Sequence, residues 1–130
     1  MKSYADRELY RLLMDLAGIP SISPSSEREN EIARFIYGTL AVLPYFRENP
    51  SDLCLLPLEG DALERHLVFA IVRAPRKTPD TVIVAGHMDV VDAQACGSLA
   101  PWAFEPEEYT KMIGSTDISP EARRDLETGE

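Results

Sequence analysis

The chain has 130 residues, of which 45% are hydrophobic and 27% are charged, a balance typical of a globular domain. Its formal net charge is −9 and it has no basic patch, so we expect no nucleic-acid partner. No apolar run approaches the ~20 residues of a membrane span, and the N-terminus lacks the apolar core of a signal peptide. We therefore expect a cytoplasmic protein without a membrane partner.

Two amphipathic helices are predicted in the first third of the chain. The first covers residues 3–17, with Ser3 as its cap, and ends before Gly18 and Pro20. The S-x-x-E pattern of residues 26–29 predicts a capping box at the start of the second helix, which Pro44 ends. Both apolar faces are predicted to pack in the core. They consist of Leu9, Leu12, Leu13 and Leu16, and of Ile32, Phe35, Ile36, Leu40 and Leu43.

Three strands are predicted in the middle of the chain, at residues 53–56, 67–72 and 81–85. The second is continuously apolar, as expected of a strand covered on both faces. The links between the strands, residues 59–66 and 73–80, are shorter than the dozen or so residues of a parallel crossover. We therefore predict an α/β fold, in which an antiparallel meander packed with helices forms part of a mixed sheet.

The hydrophobic pattern fades after Asp92. Residues 93–99 are mostly small or polar and residues 101–106 have the composition of a turn-rich loop, so we expect residues 93–119 to be the least ordered part. One further helix is predicted, with Ser119 as its cap and Pro120 at its first position, running to about Leu126.

His87 and Asp89 are the candidate site residues. They follow the third predicted strand in the segment T-V-I-V-A-G-H-M-D-V-V-D, residues 81–92. Ligands of open α/β sheets bind just beyond the carboxyl ends of strands, and residues i and i+2 of an extended chain point to the same side. The pattern therefore indicates a metal-binding imidazole, His87, oriented by Asp89. Taken alone, H-x-D is more typical of a strand-end histidine capped by a nearby acid.

The other histidine and the cysteines indicate no second site. His66 precedes an apolar strand, at the end predicted to lie far from a carboxyl-end site, and we interpret it as a surface or strand-start residue. Cys54 and Cys96 lack the C-x-x-C spacing and indicate two reduced thiols. Because a catalytic zinc ion takes three protein ligands, the sequence does not complete a metal site.

The chain resembles a family of di-zinc metallopeptidases that includes aminoacylase, acetylornithine deacetylase and glutamate carboxypeptidase. The first metal-ligand motif of that family is similar to V-I-V-A-G-H-M-D-V-V. The family's opening is similar to L-A-G-I-P-S-I-S-P-S and S-E-R-E-N-E-I-A-R-F-I. An arginine-utilisation branch resembles F-E-P-E-E-Y-T-K-M-I and I-S-P-E-A-R-R-D-L-E-T-G-E, so the likeness spans nearly the whole chain.

The resemblance implies roles for two residues of this chain. His87 matches the histidine that ligates one of the family's two zinc ions, and Asp89 matches the aspartate that supports it. The other ligands and the general-base glutamate come later in family members. The resemblance implies that residues 1–130 are the N-terminal portion of one catalytic domain, with no second domain. The parent would be a hydrolase that cleaves an amide bond in a peptide or N-acyl amino acid, linked to arginine utilisation.

We expect these residues alone to be inactive and to bind zinc weakly. An unpaired strand edge or an uncovered sheet face predicts self-association. Two alternatives stay open: a small non-catalytic α/β module that binds or regulates a partner, and a degenerate paralogue that keeps the fold without metal. The sequence identifies no substrate-binding residues.

Overall fold

The structure is a computed structural model that describes residues 4–128, with the backbone alone for residues 4–6. It comprises two compact units. One is formed by the described parts of Met1–Pro20 and Asp92–Glu130, and the other is Ser21–Val91. Among the described residues, no helix is both long and apolar enough to cross a membrane.

The Ser21–Val91 unit contains helix α2, Ser26–Ala41. The oxygen Oγ of Ser25 accepts a hydrogen bond from the backbone N–H of Arg28 (3.4 Å), and Oε1 of Glu29 accepts one from the backbone N–H of Ser25 (2.9 Å). This reciprocal pair is a capping arrangement, and it begins one residue before the predicted cap. The serine that precedes the helix has the extended backbone that a cap requires.

Helix α2 ends before the proline that was predicted to stop it. Pro44 instead begins a short helix α3, Pro44–Glu48. Proline is favoured at the first position of a helix, because its missing N–H would have no partner there in any case. The predicted helix end at Pro44 is therefore wrong by a few residues, and this proline starts a new element.

Strands β1 (Leu53–Pro57) and β2 (His66–Ala70) pair antiparallel, with Leu53 opposite Ala70 and Pro57 opposite His66. The two strands packed with helices confirm the predicted α/β class and the first pair of the predicted meander. The outer face of β2 is less covered than predicted, because Leu67 and Phe69 are 36% and 47% exposed.

The third predicted strand, residues 81–85, is not formed. Its residues have no regular secondary structure, and Val82, Ile83 and Val84 are 88%, 85% and 92% exposed. A strand needs backbone partners for its N–H and C=O groups, and none of the described strands lies alongside this segment. Within the described chain, the apolar run is therefore exposed and unpaired.

The core of the unit lies where α2 and α3 pack against the hairpin. Its buried apolar side chains are Ile32, Ala33, Phe46 and Leu53. Buried Asp52 accepts hydrogen bonds from the guanidinium of Arg73 (2.9–3.2 Å) and from the hydroxyl of Tyr45 (3.0 Å). These bonds tie the end of the hairpin to α3, and they lower the pKa of Asp52, chiefly through Arg73.

The other unit contains helix α1, Tyr4–Ala17; its predicted cap, Ser3, lies outside the described residues. The apolar stripe of α1 is not a core face, since Leu9 and Leu13 are 65% and 59% exposed. None of the described side chains of this unit is buried.

The second half of that unit is more helical than predicted. Ala93–Trp102 is 3₁₀-helical, interrupted at Gly97, whose φ of 56° suits glycine. An unpredicted helix α4, Pro106–Ile113, follows. The last helix, α5 (Pro120–Thr128), confirms the prediction: Ser119 Oγ accepts a hydrogen bond from the N–H of Ala122 (3.1 Å).

Candidate functional site

The segment that carries His87 and Asp89 is held by the loop before α2. Ile22 and Val90 form an isolated parallel bridge. The N–H of Val90 donates to the carbonyl of Ser21 (3.0 Å), and the N–H of Ser23 donates to the carbonyl of Val90 (3.3 Å). These two bonds fix the backbone immediately after the candidate residues.

The ring of His87 is hydrogen-bonded within its own segment. Its Nδ1 lies 2.7 Å from the main-chain oxygen of Asp89 and 3.4 Å from the carboxylate Oδ1 of the same residue. A carbonyl oxygen can only accept, so we infer that Nδ1 carries the proton of the neutral ring and that Nε2 has the lone pair. The side chain of His87 is 84% exposed, which leaves Nε2 accessible.

His87 and Asp89 are therefore in contact, but not chiefly through the carboxylate that was predicted to orient the ring. The shorter bond comes from the main chain of Asp89, and its carboxylate lies at ion-pair distance. Metal-binding histidines are commonly oriented through the second ring nitrogen by a carboxylate or a main-chain carbonyl, and both are available here. The metal-binding role of His87 stays a prediction.

His66 lies in the same depression as His87, which corrects the prediction that it would lie far from the site. The depression has a volume of about 240 Å³. It is lined by Glu29, Leu58, Arg65, His66, Leu67 and residues 86–89. The strand-start position of His66 is confirmed. Its closeness could have been deduced, because in the predicted meander the start of one strand and the end of the next lie at the same end of the sheet.

A buried amide fixes the ring of His66. Asn30 is 6% exposed, and its Nδ2 donates to the carbonyl of Glu64 (3.0 Å). Its Oδ1 accepts from the backbone N–H of His66 (2.9 Å) and lies 2.9 Å from Nδ1 of the same residue. Because Oδ1 is the acceptor, the neutral ring of His66 carries its proton on Nδ1, as in His87. Sequence analysis had no signal for Asn30, which looks like an ordinary helix residue.

Arg65 is the cation of the depression and is shared by two carboxylates. It bonds both oxygens of Asp61 (2.8 and 2.9 Å) and lies 3.3 Å from Oε2 of Glu29. The side-chain hydrogen bonds from Arg65, followed by its backbone N–H, lower the pKa of Asp61 to about 2. The same contacts raise the pKa of Arg65. This guanidinium therefore links the hairpin loop to the first turn of α2.

The described residues do not form a metal site by themselves. Across residues 7–128, no three His, Cys, Asp or Glu side chains are grouped so that they could hold one ion. A catalytic zinc ion takes three protein ligands, so His87 fits one ligand position and not a whole site. Cys54 and Cys96 are both free and half-buried, and neither joins such a group.

Comparison with known proteins finds two relatives in Bacillus subtilis (strain 168). Protein RocB is 29% identical over 102 residues, which cover 78% of this chain and 18% of RocB. The uncharacterized protein YqjN is 32% identical over 125 residues, which cover 95% of this chain and 22% of YqjN. No family model and no solved structure matches the chain. The chain thus spans about a fifth of the length of each curated relative.

Proposed function

We propose that this chain supplies the first metal-ligand segment of a zinc-dependent hydrolase. The enzyme would cleave an amide bond in a peptide or N-acyl amino acid, and its activity would be linked to arginine utilisation. His87 is the proposed ligand and Asp89 its orienting residue. The observation that carries the proposal is the 2.7 Å contact of His87 Nδ1 with the Asp89 carbonyl, which leaves Nε2 as the lone-pair nitrogen.

Two further observations support the proposal. The likeness to RocB and YqjN extends over most of this chain, so it includes the segment around His87. His87 also lies in a depression with polar and apolar walls, as binding sites generally have. That residues 1–130 form the N-terminal portion of one catalytic domain is part of the same proposal. Since one ligand does not hold a zinc ion, we propose that these residues alone are inactive.

The test begins with the DNA downstream of codon 130. We expect an open reading frame that continues into a glycine-rich segment with an aspartate. The product of that frame is then purified with zinc and assayed for hydrolysis of N-acyl amino acids. His87→Ala should abolish turnover. Asp89→Ala should reduce it less, within the ~10–100-fold typical of residues that orient a ligand, because its main-chain carbonyl remains.

His66→Ala is the matched control, because it removes the other imidazole of the depression. Turnover that survives His87→Ala would contradict the ligand role. Tight stoichiometric zinc binding by the 130-residue monomer, measured by calorimetry, would contradict the proposed incompleteness. A stop codon directly after codon 130 would favour the non-catalytic binding or regulatory module.

We also propose a second copy of the chain as a partner. The exposed run Val82–Ile83–Val84 lies in the same unit as β2, which has an edge without a partner among the described residues. Unpaired strand edges and exposed apolar segments tend to pair with another chain. Light scattering over a concentration series should show association that Ile83→Lys weakens. Val72→Lys is the control, because Val72 is 70% exposed outside the run. A monomer at every concentration would contradict this partner.

A further inference from the structure

Ser21 has an environment that its residue type seldom has. Among the described residues, it is the only polar side chain with no exposed area. Burying a hydroxyl costs free energy unless a hydrogen bond replaces those it made to water. The hydroxyl of Ser21 donates to the carbonyl of Met88 at 2.9 Å, across a sequence separation of 67 residues. The burial of Ser21 is therefore compensated by one contact with the candidate site segment.

That contact lies between the two candidate residues. Met88 separates His87 from Asp89, and its carbonyl is held by the Ser21 hydroxyl. One residue beyond Asp89, the N–H of Val90 is held by the main-chain carbonyl of Ser21. The Asp89 carbonyl, which accepts the bond from the His87 ring, belongs to the same peptide group as this N–H. Ser21 thus holds that peptide group through its main chain and the preceding one through its hydroxyl.

Few other contacts restrain this segment. Residues 81–87 are exposed, and within the described chain no backbone hydrogen bond joins them to another element. On the N-terminal side of this segment, the chain is held at Arg73, whose guanidinium is bound to Asp52. The geometry of the His87 ring therefore depends on the contacts that Ser21 makes with Met88 and Val90.

We propose that Ser21 is a positioning residue for the imidazole of His87. Its hydroxyl fixes the Met88 peptide so that the Asp89 carbonyl stays at hydrogen-bond distance from Nδ1, which keeps the lone pair on Nε2. The value of this arrangement for catalysis rests on the proposed function. The positioning itself is a property of the metal-free chain and can be measured without activity.

The test uses the ¹⁵N-labelled 130-residue chain at about pH 8, above the ordinary pKa of histidine. Long-range proton–nitrogen spectra report which ring nitrogen of each histidine carries the proton. In the unmodified chain, the Nδ1 and Nε2 shifts of His87 should be well separated. In Ser21→Ala they should converge as the two tautomers average. Ser21→Thr, which keeps the hydroxyl, should restore the separation.

Two controls separate positioning from folding. Ser23→Ala makes the same chemical change at an exposed position of the same loop and should leave His87 unchanged. His66 is an internal reference, because Asn30 holds its ring independently of Ser21. Unchanged His87 shifts in Ser21→Ala, with His66 intact, would overturn the proposal. If Ser21→Ala also disturbs His66, Ser21→Cys replaces it, because a thiol fills the site but is only a weak hydrogen-bond donor. Unchanged His87 shifts in Ser21→Cys, with His66 intact, would then overturn the proposal. Failure of the product of the full reading frame to bind zinc would count against the proposed function and would leave the positioning role of Ser21 untouched.

Discussion

Strand β2 and residues 81–85 belong to the same unit and have similar apolar sequences, but only β2 is paired. Residues 67–72 read L-V-F-A-I-V and residues 81–85 read T-V-I-V-A. The first run has β1 as its neighbour across a short loop. The second has no described neighbour, and its valines are about nine-tenths exposed. An apolar, β-branched run therefore gives a strand only where the fold supplies a partner for its backbone.

The largest expected difference is between an isoleucine of α2 that packs against the hairpin and an isoleucine of residues 81–85. Ile32→Ala should destabilise the chain by about 2–5 kcal/mol, because Ile32 is 6% exposed and the change leaves a cavity beside the hairpin. Ile83→Ala should change stability by less than about 0.5 kcal/mol, since Ile83 is 85% exposed. Urea unfolding of both variants measures the difference. Equal losses would mean that residues 81–85 are packed as the hairpin is.

A smaller loss of stability is expected when the buried amide that links α2 to the hairpin is removed. Asn30→Ala leaves the N–H of His66 and the carbonyl of Glu64 without their partner, at about 1–3 kcal/mol for a buried group left unsatisfied. Asn49→Ala is the matched control, because within the described part of the chain the side chain of Asn49 bonds only the nearby Tyr45 carbonyl. Urea midpoints that fall equally in both variants would show that the contact with His66 adds nothing beyond a local cap.

The smallest expected effect is a pH dependence of stability that comes from Asp61 in the hairpin loop. Arg65 holds the pKa of Asp61 at about 2, below the ordinary aspartate pKa of 3.8 that applies to the unfolded chain. The stabilisation is therefore present above about pH 4 and is lost as the pH falls towards 2. The stability difference between the unmodified chain and Asp61→Asn should shrink over that range. A stability difference that stays constant between about pH 4 and about pH 2 would contradict this expectation.

The elements that sequence analysis predicted correctly depend on local signals. Capping serines and helical periodicity located α2 and α5, and short links between apolar runs predicted the antiparallel hairpin. The error at residues 81–85 occurs where a distant partner decides, because local sequence cannot reveal that they lack a neighbour. The error at Pro44 is local, because proline can begin a helix as well as end one.

The candidate site was predicted in part for the same reason. The spacing of His87 and Asp89 is local, and their contact is present in the structure. The residues that hold the site are remote in sequence: Asn30 fixes His66 across 36 residues, and Ser21 reaches Met88 across 67. Buried polar side chains have no periodicity in a sequence, so their partners become visible only in three dimensions.

The exposed stretch between the hairpin and His87 has a consequence for limited proteolysis. Arg76 and Lys77 are exposed there, so trypsin should cut at this point before it reaches the buried parts of the unit. The ion pair of Arg73 with Asp52 lies within the N-terminal piece, and the pairing of Val90 with Ser21 joins the C-terminal piece to it. The two pieces of a nicked chain should therefore remain associated, held together without a covalent connection.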